Sequence, residues 1–242
     1  MWQSERGIVL SSVRHNDSTC IVRVFTESRG TVPFIFFLSR SAKTASRNTV
    51  LQPLTQIEFQ TRYIPSASLQ HMREVRNRVP YGSIPFSPVK STVALYLSEM
   101  LSGALSGEQS NPGLLRFMSE SFMWLDRAAE SVTGNFHILF TLGVARHTGI
   151  CPSFNDWEPG AMLDLREGCF ITSRPPYPEY VDPVLSAKLA GLAGSSYDDM
   201  DSTPLTGAER VRLLEILGTY FRLHVPSFPN LKSIEVLQAV FS

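Results

Sequence analysis

The chain has only three cysteines in 242 residues, Cys20, Cys151 and Cys169. That is too few for a disulfide framework and points to a reduced, cytosolic setting. Long hydrophobic runs are missing: no apolar stretch approaches the roughly 18 residues of a membrane span. The opening segment Met1-Trp2-Gln3-Ser4-Glu5-Arg6 has no basic region ahead of a long apolar core, which argues against a secretory signal. Net charge is zero, from 22 Lys and Arg against 22 Asp and Glu. Hydrophobic residues make up 43% and charged residues 18%, an ordinary globular balance that argues against a disordered chain. A length prior of about 150 residues per domain allows one large domain or two small ones.

Catalytic signatures are also missing. The sequence holds no Gly-x-Ser-x-Gly elbow, no phosphate-binding Gly-x-x-x-x-Gly-Lys loop and no His-Glu-x-x-His zinc helix. Its five histidines (His15, His71, His137, His147, His224) are scattered. His137 and His147 fall on one predicted helix but ten residues apart, not the four that place two ligands on one face. Asp198, Asp199 and Asp201 carry oxygen ligands without a glycine-centred calcium loop, and read as a solvated acidic loop. Structural zinc takes four ligands, often as Cys-x-x-Cys pairs. Cys151 and Cys169 each stand alone and read as ordinary thiols. No metal, no cofactor and no catalytic residue is assigned.

What is present is an uneven charge distribution. Residues 1–80 hold 11 Lys and Arg against 5 Asp and Glu, a balance of +6, and residues 81–242 carry the compensating −6. Such asymmetry suggests two modules, the basic one facing a polyanion. The first 80 residues read as five short strands, which suit a small barrel or a sandwich. Ile8-Val9-Leu10, Cys20 to Thr26 and Thr31 to Leu38 are runs rich in β-formers, separated by turns at Asn16-Asp17-Ser18 and Ser28-Arg29-Gly30. In Gln56 to Tyr63 the alternation sets Ile57, Phe59 and Tyr63 on one side, and Glu58, Gln60 and Arg62 on the other. Leu69 to Val79 fits neither period well and is taken as the last strand.

The pattern changes to helical spacing after Pro80, Pro85 and Pro88. Ser87-Pro88 and Asn111-Pro112 are helix starts. A third helix is expected from Asn135 to His147, with its stop at Gly149. Residues 150–181 form an irregular insertion, with a small hairpin around Arg166-Glu167-Gly168. Asp182-Pro183 starts another helix, and Thr206 to Glu209 has the capping-box form. A terminal helix runs over about Ser233 to Phe241. The fold class is therefore α+β. Its domains are a β-module over 1–80 and a helical domain over 81–242 with the insertion at about 150–181.

Between the third and fourth strands, Leu38 to Asn48 carries Arg40, Lys43 and Arg47 and no acid. In a helical turn these three share one face, a compact strip for phosphates. The bland alternative is a solvated loop. Arg14 and Arg29 sit in predicted turns that a barrel can bring to a common rim. Phe25, Phe34, Phe36, Phe37, Phe59 and Tyr63 include candidates for base stacking, most of them expected in the core.

Many short matches in order give the chain a family resemblance. They are Gly7-Ile8-Val9-Leu10, Phe25-Thr26 with Gly30 beyond it, Ser39-Arg40-Ser41-x-Lys43 and Leu51-Gln52-Pro53-Leu54. Ser83-Ile84-Pro85-Phe86, Asn135-Phe136-His137 and Phe228 to Ser233 follow. The sequence resembles the bacterial RecO family of recombination mediators over essentially its whole length, in particular members from the Bacteroidetes lineage. The resemblance implies an N-terminal five-stranded OB-fold barrel and a helical C-terminal domain. It implies a non-enzymatic protein of the cytoplasm and nucleoid that binds single- and double-stranded DNA and anneals complementary strands. It also implies the RecR partner, the C-terminal tail of the single-stranded DNA-binding protein SSB, and loading of the RecA recombinase onto SSB-coated strands. The DNA role transfers to Arg40, Lys43 and Arg47, with Arg29 added from the turn reading. Many members carry a four-cysteine zinc module after the third helix; the pairs are absent here, so no metal role transfers. Two other readings stand beside this one: an interaction adaptor whose helical domain carries the function, and an enzyme with an unrecognised site in 150–181.

Overall fold

The computed structural model describes residues 1–38 and 49–241. The chain divides into two compact units. The first comprises Met1–Phe86 and Leu97–Asp126, the second Ser87–Tyr96 and Arg127–Ser242. Among the described residues no helix is long and apolar enough to cross a membrane.

The first unit holds a closed barrel in the strand order β1-β2-β3-β5-β4, an OB-fold. Its strands are β1 (Gln3–Asn16), β2 (Thr19–Thr26), β3 (Gly30–Phe37), β4 (Gln56–Arg62) and β5 (Gln70–Asn77). All neighbours pair antiparallel except β3 and β5, which are parallel. The inward residues Val9, Val22, Val24, Val32, Phe34, Ile57, Phe59 and Met72 form the barrel core. Phe34 meets Phe59 edge to face at 5.0 Å.

The strand register shifts at three places in this barrel, and two of these bulges bear on its packing. At the first, the register shifts between Val9 and Ser11, so Leu10 drops out of the pairing with β2. The hydroxyls of Ser98 and Ser102 donate to the Leu10 carbonyl at 3.2 and 3.1 Å. These serines lie in the C-terminal half of α1 (Pro88–Ala104), and the outward Ile8 and Phe25 are themselves buried. The second bulge opposes Glu58–Gln60 of β4 to Arg73–Arg76 of β5, with Glu74 at φ 55°. It resets the alternation, so Met72 and Val75 both point inward although three residues apart. That is why this strand fits no regular period in the sequence.

Thr61, not Tyr63, takes the third inward place on β4. Tyr63 lies beyond the strand end and is exposed. Gly30 turns β2 into β3 at φ 72°, and a Cβ there would lie 2.1 Å from the Glu108 carbonyl oxygen. The same carbonyl accepts from the Thr31 amide. Helix α2 (Pro112–Arg127) completes the unit. Ser119 and Gln56 bond reciprocally, and Asp126 accepts from the amides of Gly82, Ser83 and Ile84 at 2.8–2.9 Å. Partial burial raises the Asp126 carboxyl pKa, but these three amides outweigh it and hold the group below its ordinary value.

The second unit is helical. Ser87 caps the start of α1 through the Lys90 amide. Helix α3 (Phe136–His147) is buried along nearly its whole length and ends at Gly149, φ 76°. Helix α4 (Pro183–Ala193) is capped by Asp182, α5 (Gly207–His224) by the Thr206–Glu209 capping box, and α6 (Ser233–Phe241) closes the chain. A three-stranded sheet lies between α3 and α4 in sequence: β6 (Met162–Asp164), β7 (Cys169–Ile171) and β8 (Tyr180–Val181). The hairpin around Arg166 to Gly168 is as expected; β8 adds a strand the sequence did not reveal. Asp164 organises it, accepting from the amides of Arg166 and Glu167 and from the Tyr177 hydroxyl. His224 bonds the Leu165 carbonyl and Tyr220 the Ile150 carbonyl. Among the described residues, no three His, Cys, Asp or Glu side chains gather as metal ligands.

Candidate nucleic-acid interface

Paired strand residues point their side chains to the same face, so strand register assembles surfaces the linear sequence does not show. One outward row crosses all five strands: Val13 pairs with Ile21, Ile21 with Ile35, Ile35 with His71, and His71 with Arg62. Phe37, two residues beyond Ile35, stacks on His71 with centroids 6.0 Å apart and planes 10° from parallel. Phe37 is 59% exposed. Beyond Arg62 comes Tyr63, 36% exposed, and over its ring lies the Arg29 guanidinium at 3.8 Å. A line of neighbours therefore runs from the β2–β3 turn to the end of β3: Arg29, Tyr63, Arg62, His71, Phe37. It sets two guanidinium groups among three planar rings.

This arrangement suits a nucleic-acid strand. Guanidinium groups neutralise phosphates, and exposed rings stack on bases without regard to sequence. In OB-folds, strands 2 and 3 and the loops β1–β2 and β4–β5 form the usual oligonucleotide-binding region. Among the described residues, no carboxylate lies within 4.0 Å of the Arg29 or Arg62 guanidinium. Both charges are free to meet an external anion.

The residues singled out from sequence fare differently. Arg29 is exposed in the β2–β3 turn, where its amide donates to the Thr26 hydroxyl. Arg40, Lys43 and Arg47 lie outside the described residues, which stop at Leu38 and resume at Thr49. Leu38 itself is held at the β1–β2 turn, its amide donating to the Ser18 carbonyl at 2.7 Å. Arg14 and Arg29 do not share a rim, because the β1–β2 and β2–β3 turns lie at opposite ends of β2. Arg14 is further engaged by Asp17 at 3.3 Å. Of the six aromatic candidates, Phe25, Phe34 and Phe59 are buried and Phe36 is half-buried. Only Phe37 and Tyr63 remain for stacking. Arg62 and His71 were not singled out; they are nine positions apart, and the β4–β5 pairing joins them.

The barrel with its exposed line of cations and rings, followed in the chain by a helical unit, defines an OB-fold protein with a helical second part. Comparison with known proteins narrows this to one family. The model of the recombination protein O N-terminal domain matches residues 1–80, and that of the recombination protein O C-terminal domain matches residues 85–233. Proteins named DNA repair protein RecO align with the chain from end to end. The one from Bacteroides fragilis is 36% identical over 242 residues, and the one from Phocaeicola vulgatus 34%, each covering all of both chains. The one from Porphyromonas gingivalis is 27% identical over 98% of each chain. The chain belongs to the RecO family of DNA repair proteins.

Proposed function

We propose that this protein binds single- and double-stranded DNA, anneals complementary strands and helps load RecA onto SSB-coated single strands, acting with RecR and without catalytic turnover. Family membership supports the DNA repair role. The observation that carries the DNA-binding part is the line Arg29, Tyr63, Arg62, His71, Phe37 with its unpaired guanidinium groups. Annealing two polyanions requires that their repulsion be screened, and fixed cations do this without breaking a bond. Arg40, Lys43 and Arg47 extend the same role into the basic segment after β3. The SSB tail and RecR are assigned to the pathway, with no residue named for either. The cytoplasm, at the nucleoid, is the compartment this role requires.

The deciding experiment is annealing of SSB-coated complementary oligonucleotides, with and without RecR. The proposal expects annealing of the coated strands by this protein and delivery of RecA to them when RecR is added. Failure to anneal, with tight binding to protein partners retained, assigns the function to an adaptor instead. Replacing Arg40 and Lys43 by alanine is expected to weaken single-strand binding and flatten its salt dependence by about one to two logarithmic units. Unchanged slope and affinity would remove both from the interface.

A further inference from the structure

The rows of β1, β4 and β5 that precede Arg62–His71 on the same outer face take no part in the line just described. Register puts Arg6, Glu58 and Arg76 in one row, and Ser4, Gln60 and Arg73 in the next. Arg78 continues the face, its amide donating to the Gln56 carbonyl at 2.8 Å. The bulge at Glu74 makes this possible. It lets Arg73 and Arg76, three apart, both point outward while Val75 turns in. Four exposed arginines thus stand against two carboxylates, Glu58 and Glu74. Arg73 lies 3.9 Å from Glu74. Among the described residues, the guanidinium groups of Arg6, Arg76 and Arg78 have no carboxylate within 4.0 Å.

Two features favour a single nucleic-acid strand over other anions. The Arg73 guanidinium lies 3.9 Å over the ring of Trp2, which is 37% exposed, so a flat ring is offered beside the charges. A cleft of about 130 Å³ between Ser4, Glu58, Gln60, Glu74 and Arg76 adds carboxylate acceptors at its walls. Acceptors repel phosphate but receive the amino groups of unpaired base edges, which a duplex keeps engaged. Guanidinium donors around such a cleft match phosphate oxygens bidentately.

We propose that this face is a second track for single-stranded nucleic acid, so that one barrel holds two strands at once. The proposal rests on the reading that the Arg29–Phe37 line binds the first. The two tracks meet on β4 and β5, where the row Arg62–His71 is followed outward by Gln60–Arg73, about 7 Å along the strands. Two strands held there lie side by side, the arrangement pairing requires.

The test counts strands per full-length chain and measures annealing of two complementary oligonucleotides without SSB. Three proteins are compared: the parent, Arg6→Ala/Arg76→Ala/Arg78→Ala on this face, and Arg29→Ala/Arg62→Ala on the first line. The parent is expected to bind two short oligothymidylate strands per chain and each variant one. Annealing is expected to fall at least tenfold in both, with unchanged circular dichroism and melting. Arg→Lys at the same three positions keeps the charge and should restore most of the binding. If the three-arginine variant still binds two strands and anneals like the parent, this proposal fails while the first line stands. If the parent binds one longer strand across both tracks, the second track is refuted. If only the retention of polyglutamate is lost, the face serves an acidic protein and the proposal is again refuted. If neither variant changes binding, the first line fails with it.

Discussion

The two units use their positive charges in opposite ways. In the helical unit several cations are tied into the fold. Lys90, 3% exposed, donates to the Ala128 carbonyl, and Arg210 donates to Asn135 at 2.9 Å. Arg146 caps the Ala193 carbonyl, Lys188 pairs with Glu209, and Arg166 holds Glu179 through two nitrogens. The Lys188 ammonium and the Thr206 amide together hold the Glu209 carboxyl down to about 2. In the barrel, the guanidinium groups of Arg6, Arg29, Arg62, Arg76 and Arg78 have no carboxylate partner among the described residues. The lesson is that a net charge near zero hides a division of labour. Several cations of one unit are tied to acceptors within it, and five guanidinium groups of the other keep no carboxylate partner among the described residues.

This contrast can be broken from either side. The largest effect is expected at Asn135, buried at the meeting of α3, the Met200–Thr203 turn and Arg210. Asn135→Ala leaves two carbonyls and a guanidinium unsatisfied and should cost about 2–4 kcal/mol in urea unfolding. DNA affinity measured well below the transition should stay unchanged.

Next comes acid sensitivity. Complete burial, with Arg210 nearby, holds His137 neutral and lowers its pKa from 6.5 to about 3. Below 6.5 the unfolded chain takes up a proton that the folded one refuses. Stability therefore falls as pH drops from 6.5 towards 3, by on the order of 1 kcal/mol per pH unit from this group. Unfolding titrations at several pH values check this, and His137→Gln should flatten the slope.

Smaller effects belong to the barrel surface and should appear in binding alone. Phe37→Ala is expected to weaken single-strand binding by about 1 kcal/mol through lost stacking. Because Phe37 is exposed, the melting temperature should hardly move. Smallest of all is Arg14→Ala. Asp17 already engages that charge, and an exposed pair contributes about 0–1 kcal/mol, so neither stability nor the salt dependence should shift measurably.

Much of the fold was legible in local signals. Ser87-Pro88 and the Thr206–Glu209 box mark helix starts because their side chains satisfy orphan amides wherever they occur. The Gly30 turn was legible for a similar reason, since positive φ favours glycine. What escaped was set by pairing between distant segments. The phase of β5 depends on a bulge at Glu74, a residue with no turn signature of its own. Tyr63 had the right parity for the inward face but lies past the strand end, where Arg29 covers it. Of the candidate site, Arg29, Phe37 and Tyr63 were legible as a turn arginine and two aromatic candidates within an arginine-rich first third. Which arginines stand together followed from register, as with Arg62 and His71. Asp126 likewise bonds the 82–84 turn across more than forty residues, and nothing local foretells it.

The central claim is that barrel arginines, and not helical ones, meet the phosphates. Salt titration of binding to a short single strand tests it most directly, using Arg29→Ala/Arg62→Ala against Arg212→Ala/Arg222→Ala on the exposed side of α5. The account predicts a slope reduced by about 1.4 for the barrel pair, near 0.7 per lost phosphate contact, and the parent slope for the helical pair. A parent slope for the barrel pair, or an equal loss in both, would contradict it.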